Sequence, residues 1–180
     1  GLGDVYKRQL QIAKTIKDAY YKSLALRDIA DSYAKVGQYN EALQVARTIK
    51  DASLKSRALC DIADSYTKAG QKEKASKVLS QALQVARTIE DAFFKSSALC
   101  DIANSYAKAG QKEKASELLS QALQVARTIE GASSKSSALC DIANSYAKVG
   151  QREKALQIAK TIENASLKSL ALWDIADSYA

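Results

Sequence analysis

Apolar residues at Leu26, Ile29, Ala30 and Tyr33 follow the i, i+3, i+4, i+7 spacing of one face of an α-helix. Lys35 falls in the last turn of that helix and Gly37 just beyond it, the residue types that favour a helix C-terminus. After Gln38 a second stripe begins, at Ala42, Leu43, Ala46 and Ile49, and predicts a second helix. Asp51 then stands where an N-cap is needed, as do Asp18 and Asp91, because a carboxylate accepts from the unpaired amides of a first helical turn. The pattern predicts a helix hairpin that turns at glycine, followed by the next hairpin with almost no linker.

That unit recurs. The block Asp28-Ile29-Ala30-Asp31-Ser32-Tyr33-Ala34-Lys35-Val36-Gly37-Gln38 returns at 61–71, 101–111 and 141–151, and starts again at Asp174. Its tyrosine falls at Tyr33, Tyr66, Tyr106, Tyr146 and Tyr179, so the spacings are 33, 40, 40 and 33 residues. The repeats are read as 18–50, 51–90, 91–130 and 131–163, with the end of a second-type helix at 10–17 and a first-type helix at 164–180. Self-similarity at this period predicts a stack of units, each covering the apolar face of its neighbour.

The two longer units carry seven extra residues, 76–82 and 116–122, inside the second helix. Seven residues make two helical turns and rotate the rest of the helix by only ~20°. Ala75, Leu79, Ala82, Ala86 and Ile89 keep one apolar seam through the insertion. The second helix should therefore lengthen by about 10 Å without losing its buried face, becoming nearly equal to the first. A change of superhelical pitch is expected where long and short units meet.

Residues 1–9 match nothing else in the chain and resemble translated adapter sequence; they are expected to stand outside the fold. Met is absent, and both ends are read as cuts in a longer protein, which would leave one face of the last helix bare.

Composition narrows the chemistry. The absence of Pro and the abundance of Ala favour long helices. The absence of His removes the usual general base and the commonest metal ligand, so no Ser-His or Cys-His pair exists. No catalytic residue, metal site or cofactor is expected, and the chain is not read as an enzyme. Cys60, Cys100 and Cys140 recur once per unit. Stacked helices lie about 8–10 Å apart, whereas a disulfide needs Cα atoms within about 7 Å, so free and partly buried thiols are expected. Those thiols, with no signal peptide and no apolar run near the ~18 residues of a membrane span, point to a cytoplasmic protein without membrane contact.

The pattern Leu26-x-x-Ile29-Ala30-x-x-Tyr33-x-x-x-Gly37-x-x-x-x-Ala42 resembles the tetratricopeptide repeat, and the copies at Leu59–Ala75, Leu99–Ala115 and Leu139–Ala155 take the same steps. The resemblance covers residues 10–180 and implies an all-α fold, a right-handed superhelical α-solenoid of antiparallel helix hairpins with about ten helices. Two departures stand out: Ala replaces Gly at the family's small position, and the Pro between units is replaced by Tyr21, Leu54, Phe94, Ser134 and Leu167. Without that Pro the first helix of each unit should begin up to a turn earlier.

In the family the first helix of each unit lines a concave groove that holds a protein or peptide ligand. Carried over, the resemblance implies a rung of Arg27, Cys60, Cys100, Cys140 and Trp173. Asp31, Asp64, Asn104, Asn144 and Asp177 follow one turn on, then Lys35, Lys68, Lys108 and Lys148. Arg27, Asp31, Asp64, Lys68, Asn104, Lys108, Asn144 and Lys148 are the ligand-binding candidates, with Asn104 and Asn144 foremost, since an amide offers donor and acceptor to a peptide backbone. The lysines also complement the helix dipole. Only Arg27 is basic in its rung, so the family's carboxylate clamp is not reproduced. The recurring Asp28, Asp61, Asp101, Asp141 and Asp174 are read as structural contacts to Lys or a backbone amide of the neighbouring unit, and Trp173 as a ligand anchor or a packing residue.

A protein-interaction scaffold is the leading reading, and self-association through exposed ends is the alternative. The formal net charge of +7 raises nucleic acid as a third class. Its cations are interleaved with acids, as at Lys72-Glu73-Lys74, and the groove lacks stacking aromatics apart from Trp173, which disfavours that class.

Overall fold

The structure, a computed structural model, describes residues 2–178 and holds ten α-helices and no strand among them. The chain divides into two compact units, one reaching to Thr88 and the other starting at Ile89. The first unit contains α1 (Leu2–Thr15), α2 (Ala19–Lys35), α3 (Tyr39–Thr48), α4 (Ala52–Lys68) and α5 (Lys72–Arg87). The second contains α6 (Ala92–Lys108), α7 (Lys112–Arg127), α8 (Ala132–Lys148), α9 (Arg152–Lys160) and α10 (Ala165–Asp177). Within each, first-type helices pack on one another and each pairs with the second-type helix that follows it. This is an all-α helical repeat fold.

The helix ends are set by the residues that the pattern singled out. The backbone amides of Tyr21, Leu54 and Phe94 donate to the carboxylates of Asp18, Asp51 and Asp91 at 3.0, 2.8 and 3.0 Å. Asn164 caps α10 in the same way, accepting from Leu167 at 3.0 Å. At the fifth equivalent place stands Gly131, which offers no side chain to α8. Without the inter-unit Pro, these helices begin at Ala19, Ala52, Ala92, Ala132 and Ala165, two residues before the position it would hold. At the other end Gly37 and Gly70 adopt φ of 80° and 75°, the left-handed region open to glycine. That turn lets the Gln38 and Gln71 amides donate back to the carbonyls of Tyr33 and Tyr66, each at 2.9 Å, which satisfies orphaned groups of the last turn.

Both heptad insertions are helical. Residues 76–82 lie inside α5 and 116–122 inside α7, and Leu79, Ala82, Leu119 and Ala122 are wholly buried there. α5 and α7 have 16 residues against 17 for α4 and α6, whereas α3 and α9 have only 10 and 9. Small residues let the paired helices approach closely. Ser56 and Ser96, both buried, donate from their hydroxyls to the carbonyls of Ala82 and Ala122 at 3.3 and 3.1 Å.

The N-terminal expectation needs correcting for residues 2–9, which form the first half of α1 instead of lying outside the fold. The cause is Tyr6. Its ring lies against Tyr33 with centroids 4.8 Å apart, and Tyr39 makes the equivalent contact with Tyr66 at 3.9 Å. Helix propagation from Leu10 costs little once that ring is seated.

The end geometry gives a paired prediction for thermal unfolding followed by circular dichroism. Gly70→Ala should cost about 1–2 kcal/mol, the penalty of a Cβ in the left-handed region, because open space around the position leaves backbone strain as the only cause. Gly131→Asp should gain about 0.5–1 kcal/mol by adding the missing cap and stiffening the unfolded chain. Equal midpoints for Gly70→Ala and the parent would refute the turn geometry.

Candidate ligand-binding face

The candidate residues lie on the first-type helices at steps of four, so each helix presents its three rungs along one face. In the first unit these are α2 and α4. The Arg27 guanidinium reaches across to Asp61 on α4 with Nε 3.1 Å from the carboxylate, both side chains being half-buried. One turn on, Asp31 pairs with Lys35 of its own helix at 2.6 Å. That hydrogen bond raises the Lys35 ammonium above its ordinary value. Asp61 is held above the usual carboxylate range because burial outweighs the attraction of Arg27. Asp64 is half-buried on α4, and Lys68 ends that helix in solvent.

In the second unit α6, α8 and α10 carry the same rungs. Asn144 donates from its amide nitrogen to the carboxylate of Asp174 on α10 and lies 3.9 Å from the Cys140 sulfur. Its amide oxygen is buried without a partner, and so is that of Asn104 on α6. Lys108 and Lys148 close α6 and α8 and are exposed. Trp173 is 65 % exposed on α10, beside Leu170 and Leu172, so it fills no pocket in this structure.

Two parts of the expected face are different. The cysteine rung does not line an open surface: Cys60, Cys100 and Cys140 form no disulfide and are only 3–4 % exposed. Cys100 lies beneath α8 beside the Ser145 hydroxyl, and its burial pushes the thiol pKa up to about 12. Burial also raises Cys140. Two of the recurring aspartates, Asp61 and Asp174, meet the preceding helix pair, through side chains other than those expected. Asp61 takes the Arg27 guanidinium and Asp174 the Asn144 amide. A carboxylate half-buried between helices needs a donor long enough to cross the helix spacing, which Arg and Asn supply.

Second-type helices hold a feature that the residue pattern did not single out. A cleft of about 440 Å³ lies between α7 and α9 over α8, lined in part by Arg127, Lys135 and Lys154. Only the recurrence of Arg and Lys at fixed steps hinted at it. Among the described residues no cluster of side chains is suited to a metal ion, and no helix is long and apolar enough to cross a membrane.

The thiol geometry predicts slow chemistry. At pH 8 the native protein should react with a disulfide reagent at least a hundredfold more slowly than the denatured chain, whose three thiols titrate near their ordinary value. Rapid native labelling would place the cysteines on an accessible face.

Comparison with known proteins gives the geometry a family. The tetratricopeptide repeat profile matches residues 56–89 and again residues 96–134. Ton1535 from Thermococcus onnurineus NA1 is 19 % identical with a TM-score of 0.69, over 96 % of this chain and 54 % of that one. A Podosopora anserina putative kinesin light chain with nearly identical TPR-like repeats gives 17 % and 0.57 over 91 % and 88 %. A Rap protein complexed with competence and sporulation factor gives 20 % and 0.55 over 92 % and 49 %. This chain thus spans about half the length of Ton1535 and of the Rap protein. A search of curated proteins found no match. Repeated helix pairs closed by left-handed glycines, two family matches and these structural neighbours agree: the chain is a tetratricopeptide-like helical repeat protein.

Proposed function

We propose that this protein is an interaction scaffold that holds an extended peptide of a partner protein along the first-type helices. Tetratricopeptide repeats generally mediate protein–protein interaction, and the neighbouring Rap protein was captured with competence and sporulation factor bound. One observation carries the reading. Asn104 and Asn144 stand at equivalent places on adjacent helices, each with a side-chain oxygen that lacks a partner. A buried acceptor without a donor costs about 1–3 kcal/mol. A peptide N–H that reaches it after a small side-chain rotation recovers that cost.

Lys108 and Lys148, one turn further, then lie beside the ligand and favour acidic side chains on it. Asp64 and Lys68 take the equivalent places on α4. Arg27 and Asp31 contribute less, because each is already engaged within the protein. Asn144 has a double role, since its nitrogen ties α8 to Asp174 while its oxygen stays available to a ligand.

Selection of binders from a random phage-displayed peptide library tests the proposal. Peptides that emerge should bind Asn104→Ala/Lys108→Ala at least tenfold more weakly, and Asn104→Ala alone should cost no thermal stability, since it removes a buried oxygen that has no partner. Selected peptides that bind parent and variant equally would sink the assignment of this face. The dependence on salt should stay far shallower than the steep slope of a phosphate-backbone contact.

A further inference from the structure

The cleft between α7 and α9 is separate from that face and differs in its electrostatics. Both helices pack on α8, whose Leu139 forms the floor, with Ile158 of α9 on one wall. Arg127, Lys135 and Lys154 line it, one from each helix, and no acidic residue does. On the first-type helices Arg27 and Lys35 are neutralised by Asp61 and Asp31. In the cleft, among the described residues, none of the three cations has a carboxylate within ion-pair distance. Its volume of about 440 Å³ lies within the range of ligand sites, roughly 300–1,000 Å³.

The second-type helices differ in the side chain that meets the tyrosine of the next first-type helix. Arg47, Lys55 and Lys74 repeat the same three cations at the same spacing on α3, α4 and α5. There α3 presents Tyr39, whose ring stacks on Tyr66 at 3.9 Å and whose hydroxyl reaches the Ser65 carbonyl at 3.4 Å. To the corresponding Tyr146, α7 presents only Ser120, and the two hydroxyls share a hydrogen bond of 2.9 Å. The small serine leaves the space over Leu139 unfilled. Lys154 lies over the aromatic face, its ammonium 5.6 Å from the Tyr146 centroid, as Lys74 lies over Tyr66 at 5.9 Å.

We propose that this cleft binds a short acidic peptide segment. Its carboxylates meet Arg127 and Lys135, and an aliphatic side chain between them rests on Leu139 and Ile158. Arg127 suits a carboxylate because its planar fork donates two parallel hydrogen bonds. The apolar floor argues for a peptide over a bare anion. Tyr146 is buried and its face is occupied by Lys154, so the cleft offers no aromatic surface on which a base stacks. The site goes beyond the proposed peptide face and does not depend on it.

The test is a titration of the isotopically labelled protein with acetyl-Glu-Leu-Glu-Leu-amide at low ionic strength, followed by amide chemical shifts. Shifts should concentrate in residues 120–127, 135–146 and 154–161. The analogue with Gln for Glu should bind at least tenfold more weakly. Arg127→Gln/Lys135→Gln should lose at least tenfold in affinity, and Ser120→Tyr should lose as much without any change of charge. Asn104→Ala/Lys108→Ala should bind the probe like the parent, which separates this site from the first-type face. Equal binding of the Gln analogue, or an unchanged affinity in Ser120→Tyr, overturns the proposal. So does stronger competition by a single-stranded oligonucleotide than by the acidic peptide, which would assign the cations to nucleic acid.

Discussion

The close approach of paired helices over alanine is the constraint on which the structure depends. Ala30, Ala63, Ala103 and Ala143 on first-type helices are wholly buried, and so are Ala42, Ala82, Ala122 and Ala155 on the helices that face them. A methyl group at these places keeps the backbones near enough for Ser56 and Ser96 to reach a carbonyl of the opposite helix. A larger side chain at Ala82 would force off-rotamer packing and push the helices apart. It would also leave the Ser56 hydroxyl buried without a partner. The seam further explains why a seven-residue insertion is tolerated. Ala82 and Leu79 restore the same contact after two turns, so α5 lengthens along a surface that already fits it.

Much of this was legible in the residues. The 3.6-residue periodicity, the glycine after each lysine and the aspartate before each helix located the hairpins, because each reports a local backbone requirement. The heptad insertion was readable as helix for the same reason: its apolar positions stay in phase. The cysteine rung shows where such reading stops. Periodicity places Cys100 beside the apolar stripe on α6, but only the packing of α8 decides that the thiol is covered. Asn144 is similar. The pattern sets it one turn after Cys140, yet its tie to Asp174 depends on α10, thirty residues away in sequence. Tyr6 was missed for another reason. Its neighbours in sequence match no repeat, although its spacing from Tyr33 equals that of Tyr39 from Tyr66.

The two candidate surfaces illustrate how the same repeated charges acquire different meanings. On α2 acids and bases alternate at steps of four, so Asp31 and Lys35 neutralise each other and Arg27 is consumed by the neighbouring Asp61. The means left to recognise a ligand on the first-type helices is mainly amide chemistry, the unpaired oxygens of Asn104 and Asn144. On the second-type side, Arg127, Lys135 and Lys154 come from three different helices, and no acid shares their cleft. A formal charge of +7 read over the whole chain hides this contrast. In the proposed cleft the charge comes from Arg127, Lys135 and Lys154, and the space beside Tyr146 from the small side chain of Ser120. Where the short α3 seats Tyr39 on the ring of Tyr66, the heptad-lengthened α7 sets Ser120 against Tyr146, and the cleft proposed here opens between hairpins of one and the same fold.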